Sequence, residues 1–335
     1  MSLSNQRMRL FGRTLRALTA LFLSAGTVLV TAGTASAARV PLPNSGGNGA
    51  YLALGDSVAF GYIPSQATPA PNYYEAPSFV SYAKYVAQAL RLHLTNASCP
   101  GETTASMIST TAISNGCENT LGYPVGYRTL YPLHVGYTGS QLAYAVSFLM
   151  RHRNTRLVTI DIGANDAFVC QEMTVHACTS PSELLAVLNT ISTNLSTIYH
   201  AIRIDAGYKG PIVALNYYSL SYQNNPYGKL SMALSDLLNQ AIDAAGKPFG
   251  VIVAHGFAAF ESASSGTYMG SPCAAGLLVP VPAADTSIPG ENCNIHPSLK
   301  GHQVLAGAIL AALNPNGPNS GTLGSRGVQM AGKAG

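Results

Sequence analysis

Short apolar segments alternate with longer amphipathic segments through most of this chain. Five short segments have the apolar, β-branched-rich character of strands, at 51–54, 93–97, 156–162, 211–216 and 251–254. Apolar residues recur with helical spacing between and after them, over 78–92, 103–114, 140–152, 182–205, 229–245 and 297–313. Strands that alternate with helices predict an α/β fold with three layers, in which helices cover both faces of a parallel sheet.

Local signals support the helix starts, and long gaps interrupt the pattern. Ser180-Pro181 places a cap and an early proline before one helix, and Pro297 fits the first turn of the last helix. Three stretches, 62–77, 115–138 and 257–295, are predicted to be long loops. Loops of this length in a compact domain are usually functional or tied by disulfides.

The N-terminal segment has the pattern of an export signal. Residues 1–38 combine an apolar run over 17–33, a small-residue site at Ala35-Ser36-Ala37 and basic residues at Arg7, Arg9, Arg13 and Arg16. We predict a signal peptide cleaved after Ala37 or Ala38, and prefer it to a membrane anchor because the run is short for a span. Residues 39–49 are predicted to be a linker, 50–313 one domain and 314–335 a disordered tail.

Removing the signal changes the charge balance. Four of the 18 basic residues and none of the 14 acidic ones lie in it, so the mature chain carries 14 of each. No basic excess remains to indicate a nucleic acid or an anionic membrane as a partner. We expect a soluble, secreted protein, most simply a monomer.

The cysteines fit an exported protein. There are six of them, Cys99, Cys117, Cys170, Cys178, Cys273 and Cys293. Disulfides are expected outside the cytosol, and the three sequential pairs are the simplest choice among many that the sequence alone allows. A metal site is the alternative, but the chain has no CxxC and no pair of histidines at ligand spacing. We predict no metal and no cofactor.

A candidate nucleophile follows the first predicted strand. Ser57 lies in Gly55-Asp56-Ser57, where the glycine permits a tight turn and a following helix would direct its free N–H groups at the site. The same serine could simply be a helix N-cap. The motif also differs from the G-x-S-x-G elbow, because residue 59 is alanine.

Three further residues complete a possible acyl-transfer site. Asn165, after the third strand, could direct its amide at an oxyanion, and Gly101, after the second, could offer a backbone N–H. Both lie in sequences that also suit ordinary turns. His296, on the last loop, could act as general base, although a single histidine is more often structural.

Taken together, these blocks resemble the SGNH (GDSL-type) hydrolases, especially their secreted bacterial lipase and esterase branch. The matching residues run in the family's order over about 50–313: Gly55-Asp56-Ser57 with Gly61, then Gly101, then Gly163-Ala164-Asn165-Asp166, then His296-Pro297. The resemblance implies a five-stranded parallel sheet in flavodoxin-like order. It also implies Ser57 as nucleophile, His296 as base, and an oxyanion hole made by Ser57, Gly101 and Asn165.

One position departs from the family pattern. The family usually has Asp three residues before the histidine, and this chain has Cys293 there. We therefore expect a main-chain carbonyl, from Asn294, to accept the imidazole N–H, with Glu291 and Asp285 as less favoured substitutes from the same loop. Asp56 and Asp166, which adjoin motif residues, are expected to have supporting roles.

The predicted function is that of a secreted carboxylic-ester hydrolase that acts on a small-molecule or lipid ester. The apolar, tyrosine-rich loops at 62–77 and 115–138 could flank an acyl groove, or could merely pack against each other. A carbohydrate O-acetylesterase is the alternative enzyme, and the absence of tryptophan argues mildly against a platform for sugar stacking. A non-catalytic binding protein on the same fold is the remaining alternative.

Overall fold

A five-stranded parallel sheet lies at the centre of this computed structural model, which describes residues 49–314. Its strands are β1 (Ala50–Gly55), β2 (His93–Asn96), β3 (Thr155–Asp161), β4 (Ile212–Leu215) and β5 (Ile252–Ala254). They lie in the order β2-β1-β3-β4-β5, which confirms the flavodoxin-like sheet. In such a sheet the ligand crevice lies where the strand order reverses, here beyond the carboxyl ends of β1 and β3.

Helices supply the two outer layers. They are α1 (Ser57–Phe60), α2 (Tyr82–Leu90), α3 (Thr104–Ile108), α4 (Tyr127–Leu130), α5 (Gln141–Arg151), α6 (Ala164–Met173), α7 (Pro181–His200), α8 (Pro226–Gly246), α9 (Gly256–Ser264) and α10 (Leu299–Leu313). Helix α10 packs against α2 and α9, whereas α7 packs against α3, α6 and α8. The layers form because β1 and β4 are buried along their whole length and need cover on both faces.

Several predicted helix boundaries were wrong. The helix predicted over 103–114 stops at Ile108, and the one predicted over 78–92 begins only at Tyr82, after its Ser81 cap. Helix α6 was missed, because its sequence lacks a clear apolar stripe and its first three residues belong to a turn-like motif. Helix α7 ends at His200 and continues as one wider π-helical turn over Ala201–Asp205.

The stretch predicted as a loop over 257–295 contains regular structure. It includes most of α9, all of β6 (Leu278–Pro280) and the first three residues of β7 (Cys293–Pro297), which pairs with β6 in antiparallel fashion. His296 therefore lies in a short strand, and Pro297 ends that strand instead of opening a helix, since α10 begins at Leu299 after its Ser298 cap. Strands this short give too few alternating positions to be recognised from sequence.

The sequential disulfide pairing is confirmed. Cys99 bonds Cys117, Cys170 bonds Cys178 and Cys273 bonds Cys293, with Cα–Cα distances of 5.6, 5.4 and 5.9 Å. Each closes a loop and typically contributes about 2–4 kcal/mol, mainly by restricting the unfolded chain. The cysteine metal site is thereby excluded, because joined sulfurs offer no thiolates.

Some predictions lie outside the described residues. The signal peptide, nearly all of the 39–49 linker and nearly all of the tail from 314 onward are among them. Within residues 49–314, no helix combines the length and apolarity that a membrane crossing requires.

Candidate active site

The turn after β1 presents Ser57 at the crevice. Asp56 caps α1 by accepting the Val58 N–H at 2.9 Å, and Ser57 is the first helical residue, so its N–H has no acceptor within the helix. Gly55 allows this turn to form beside β3. Its φ is +133°, and a Cβ there would lie 2.0 Å from the Asp161 carbonyl oxygen.

His296 lies within hydrogen-bond distance of the candidate nucleophile. Its Nε2 lies 3.0 Å from Ser57 Oγ, and its Nδ1 lies 2.5 Å from the side-chain Oδ1 of Asn294. The expected residue is therefore present, but the acceptor is its side-chain carbonyl and not its main-chain one. The side chain of Asn294 folds back along its own strand, where its Oδ1 also accepts the His296 backbone N–H at 3.2 Å.

Strand β7 is anchored on both sides of His296. The Cys273–Cys293 disulfide ties its first residue, and Tyr218 donates its hydroxyl to the Ile295 carbonyl at 2.7 Å. Glu291 does not substitute for the missing aspartate, because its carboxylate accepts the Ser271 hydroxyl at 2.8 Å. Asp285 makes no hydrogen bond to the imidazole among the described residues.

Burial keeps the imidazole neutral. Removal from water disfavours the charged form and lowers the pKa of His296 to about 4. With Nδ1–H donated to Asn294, the Nε2 lone pair faces Ser57 Oγ. This is the tautomer that a general base for Ser57 requires.

The amide of Asn165, near the start of α6, is held at both ends. Its Nδ2 donates to Asp56 Oδ2 at 3.2 Å, and its Oδ1 accepts from Asn115 Nδ2 at 2.9 Å. Tyr217 donates its hydroxyl to the same Asp56 oxygen at 2.6 Å. Burial raises the pKa of Asp56 to about 6, and its two carboxyl oxygens accept these bonds.

Gly101 lies on a tight turn between β2 and α3. Its φ is +83°, and a Cβ at this position would lie 2.6 Å from the Asn115 carbonyl oxygen, so the close approach of the two backbones requires glycine. Among residues 49–314, the Gly101 N–H has no backbone acceptor. The turn therefore leaves one donor free.

Asp166 binds a neighbouring helix instead of the imidazole. It accepts the Thr104 N–H at 2.9 Å and the Thr104 hydroxyl at 2.5 Å, and Asn194 donates to that hydroxyl at 2.9 Å. Burial raises the pKa of Asp166 to about 6. These bonds join α3 to the start of α6, where Asn165 lies.

Three residues that shape the site were not singled out by sequence. Gln141, fully buried, accepts the Gly55 N–H at 2.6 Å and donates to the Gly55 carbonyl at 3.0 Å, which clamps the nucleophile turn. Asn115 and Tyr62 lie in the long loops, which had been identified only by length. A glutamine at the start of a predicted helix could have drawn attention to Gln141, but nothing in the neighbouring sequence distinguishes Asn115 from other loop residues.

An aromatic surface flanks the imidazole. The ring centroids of Tyr62 and His296 are 4.8 Å apart. Three further ring contacts follow in sequence, with centroid distances of 5.8 Å between Tyr62 and Tyr73, 5.1 Å between Tyr73 and Tyr131, and 5.4 Å between Tyr131 and Tyr74. Tyr74 is 74% exposed, so these four tyrosines, called the aromatic wall below, run from the imidazole to solvent.

The site therefore joins four sequence blocks at one edge of the sheet. A hydroxyl lies against a neutral imidazole, and the N–H groups of Ser57 and Gly101 and the amide of Asn165 belong to the turns beside it. A hydroxyl with an adjacent base can attack a carbonyl carbon, and N–H donors can stabilise the negative charge that develops on its oxygen.

Comparison with known proteins gives one family match. The profile described as the GDSL-like lipase/acylhydrolase family matches residues 53–304, which is more than half of the chain. None of the curated proteins compared with the chain matches it.

Solved structures with detectable similarity include three hydrolases. An acetylxylan esterase from Geobacillus stearothermophilus is 17% identical, with a TM-score of 0.45, and the match covers 83% of this chain and 97% of that one. A phospholipase A1 from Streptomyces albidoflavus NA297 is 20% identical, with a TM-score of 0.45 and coverage of 80% and 99%. An α/β hydrolase from the metagenome of Lake Arreo, Spain, is 15% identical, with a TM-score of 0.43 and coverage of 80% and 95%.

Proposed function

The chain belongs to the GDSL-like lipase/acylhydrolase family, and from that premise we propose that it hydrolyses carboxylic esters through an acyl-enzyme on Ser57. The observation that carries the proposal is the 3.0 Å separation of Ser57 Oγ from a neutral His296 Nε2, with Asn294 holding the other ring nitrogen. A nucleophile, its base and a group that orients the base are the parts that this chemistry needs.

In the first half of the reaction, Ser57 Oγ attacks the ester carbonyl carbon while its proton passes to His296 Nε2. The carbonyl oxygen becomes an oxyanion that accepts hydrogen bonds from the Ser57 and Gly101 N–H groups and from Asn165 Nδ2. The carbon–oxygen bond to the alcohol then breaks. His296 gives the proton to the departing alkoxide, and the acyl group stays on Ser57.

In the second half, water attacks the acyl carbon and gives its proton to His296 Nε2. The same donors stabilise the second oxyanion, and its collapse breaks the bond to Ser57 Oγ. The proton on His296 returns to Ser57, and the carboxylic acid leaves.

Asn294 differs from the aspartate of a Ser-His-Asp triad in one physical respect. Its Oδ1 fixes the ring orientation and the tautomer as a carboxylate would. A neutral amide, however, stabilises the transient imidazolium less than a carboxylate does. The low pKa of His296, caused by burial, agrees with a neutral amide, and not a carboxylate, as the partner of its Nδ1.

The aromatic wall supports esters with an apolar acyl or alcohol group. Tyr62 packs its ring against the imidazole, where the substituents of a bound ester would lie. The mature chain carries equal numbers of acidic and basic residues, so its net charge does not favour an ionic substrate. A carbohydrate O-acetylesterase is the alternative, and an acyl-chain profile distinguishes the two.

Secretion is part of the same proposal. The three disulfides are typical of proteins that fold in oxidising compartments, and residues 1–38 have the composition of an export signal. N-terminal sequencing of the exported protein would test it, with Ala38 or Arg39 expected as the first residue.

The decisive experiment compares the mature protein with Ser57→Ala on p-nitrophenyl esters from acetate to palmitate. We expect the variant to lose at least about 10³-fold in kcat, because in the proposed reaction the acyl group is carried by Ser57. A profile that favours longer chains supports the lipase-like reading, and one restricted to acetate supports the O-acetylesterase.

Covalent labelling provides an independent measurement. A fluorophosphonate should label the wild-type protein at Ser57 and leave Ser57→Ala unlabelled. Unchanged hydrolysis in Ser57→Ala would contradict the proposed nucleophile. A wild-type protein that neither hydrolyses esters nor reacts with the label would be a binding protein.

A further inference from the structure

Asn115 contacts both of the proposed oxyanion donors that lie outside the nucleophile turn. Its backbone N–H donates to the Gly101 carbonyl at 2.8 Å, and its side-chain Nδ2 donates to Asn165 Oδ1 at 2.9 Å. No other residue bonds Asn165 Oδ1 within the described part of the chain.

A disulfide restricts the position of Asn115. The Cys99–Cys117 disulfide closes the segment that contains both Gly101 and Asn115, and both of its cysteines are buried. The backbone of Asn115 lies so close to Gly101 that a Cβ on the glycine would be 2.6 Å from the Asn115 carbonyl oxygen. The disulfide therefore holds the backbone of Asn115 against the Gly101 turn, which carries one proposed donor, while the Asn115 side chain reaches the other donor, Asn165.

The two bonds to Asn165 determine which way its amide faces. A side-chain amide has two N–H donors at one end and an oxygen acceptor at the other. One N–H is used by Asp56 and the oxygen by Asn115, which leaves the second N–H free. Rotation of the amide by half a turn would replace that free N–H with an oxygen, which would repel an oxyanion.

We propose that Asn115 is a positioning residue for the oxyanion hole: its side chain sets the direction of the Asn165 amide, while its backbone lies against the Gly101 turn. The inference rests on the ester-hydrolase function proposed above. Asn115 donates to two groups that themselves donate to the oxyanion, so it acts through them and does not touch the reacting atoms.

Two substitutions separate positioning from space-filling. Asn115→Asp keeps the size of the side chain but replaces the N–H donor by a carboxylate. In the present orientation, Asn165 Oδ1 would then face the carboxylate at position 115. In the flipped orientation, it would face the carboxylate of Asp56. We expect kcat to fall about 100-fold, approaching the loss of a hole donor. Asn115→Ala removes one neutral hydrogen bond, and we expect kcat to fall about tenfold. In both variants KM should change by less than about threefold, because the ester's substituents bind elsewhere.

A space-filling role predicts the opposite order. Asp is nearly isosteric with Asn, so Asn115→Asp would then resemble the wild type and Asn115→Ala would be the more damaging change. That order, or unchanged kcat in both variants of an active enzyme, overturns the inference while leaving the proposed function intact.

A double-mutant cycle provides the second measurement. In an Asn165→Ala background, Asn115→Asp should lower kcat by no more than about threefold, because the group it misdirects is gone. If Asn115→Asp lowers kcat by the same factor in the Asn165→Ala background as in the wild type, the inference is wrong. The cycle can also be run with Asn115→Ala, so the outcome does not depend on whether the charged variant folds.

Asn225→Asp is the matched control for the chemical change. Asn225 caps α8 through its Oδ1 and donates its Nδ2 to Gln223 Oε1 at 2.8 Å, so Asn225→Asp also sets a carboxylate against an amide oxygen. We expect the melting temperature to fall slightly and kcat to stay at the wild-type value. Melting curves of the Asn115 variants identify any loss that comes from unfolding. A wild-type enzyme with no esterase activity and no fluorophosphonate label would refute the proposed function itself, and this inference with it.

Discussion

The two sides of the crevice hold their side chains by different physical means. On the polar side, each group is fixed by directed bonds, such as Asn165 between Asp56 at 3.2 Å and Asn115 at 2.9 Å. On the aromatic side, Tyr62 and Tyr73 are held by ring contacts, with centroids 5.8 Å apart, together with a hydroxyl–hydroxyl bond of 3.1 Å and a bond from the Tyr73 hydroxyl to the Ile63 carbonyl at 2.8 Å.

This difference indicates a division of labour. Hydrogen bonds weaken steeply when their angles change, so the polar side can present donors to one point in space. Aromatic contacts tolerate several tilts and separations, so the aromatic wall can accept substituents of different shapes. We expect changes on the polar side to lower kcat for every ester, and changes on the aromatic side to lower kcat/KM only for some esters.

Among changes that distinguish the two sides, the largest effect should come from adding a methyl group at Gly101. Gly101→Ala places a Cβ 2.6 Å from backbone atoms at Asn115 and demands a φ of +83° from an L-residue. The turn has to move, which withdraws its N–H from the oxyanion. We expect kcat to fall about 10²–10³-fold for acetate and for long-chain esters alike.

Gly250→Ala is the control for this prediction. Gly250 also has a positive φ, of +63°, but a Cβ there has open space around it, so only backbone strain is added. Its melting temperature should fall slightly while kcat stays at the wild-type value. Similar kcat losses in the two variants would mean that general strain, and not the position of the Gly101 N–H, causes the effect.

The polar side was largely predictable from the sequence. Ser57, Gly101 and Asn165 each follow a predicted strand, and parallel strands bring their carboxyl ends to one edge. Asn115 and Gln141 were not predictable, because they reach the site from a long loop and from a helix start on another layer. Contacts of that kind depend on tertiary packing, which leaves no local periodicity in the sequence.

A smaller and more selective effect is expected on the aromatic side. Tyr62→Ala removes the ring that lies 4.8 Å from the His296 ring and so removes apolar surface available to a substrate. We expect kcat/KM to fall about tenfold for octanoate and less than about threefold for acetate. Hydrolysis of p-nitrophenyl esters of increasing chain length would measure the difference.

Tyr62→Phe is the matched control, since it keeps the ring and loses only the hydroxyl that bonds Tyr73. It should retain the wild-type chain-length profile. If Tyr62→Ala lowers kcat/KM equally for all chain lengths, the aromatic wall has no role in choosing the ester and the division proposed above is wrong.

His296 lies where the two sides meet, and it shows where sequence reasoning stopped. Its partner residue was expected, but the strand that carries it was read as a loop, and the accepting atom was assigned to the main chain. A residue-level prediction cannot distinguish the two carbonyls of one asparagine. The choice depends on how a five-residue strand, tied by the Cys273–Cys293 disulfide, turns its side chains.

The smallest expected change concerns the pH profile. Asn294→Asp would place a carboxylate 2.5 Å from His296 Nδ1, and an adjacent negative charge favours the imidazolium. The pKa of His296, about 4 in the wild type because of burial, should rise by about one unit or more.

The sign of the activity change follows from the role of the base. Only neutral imidazole accepts the Ser57 proton, so the acid limb of the kcat/KM profile lies at the pKa of His296. Raising that pKa moves the limb to higher pH, so that Asn294→Asp loses activity near pH 5 while keeping it near pH 8. Asn294→Ala, which removes the acceptor without adding charge, should leave the limb where it is and lower kcat throughout. If the acid limb of the kcat/KM profile does not move in Asn294→Asp, the imidazole at Ser57 is not the titrating base.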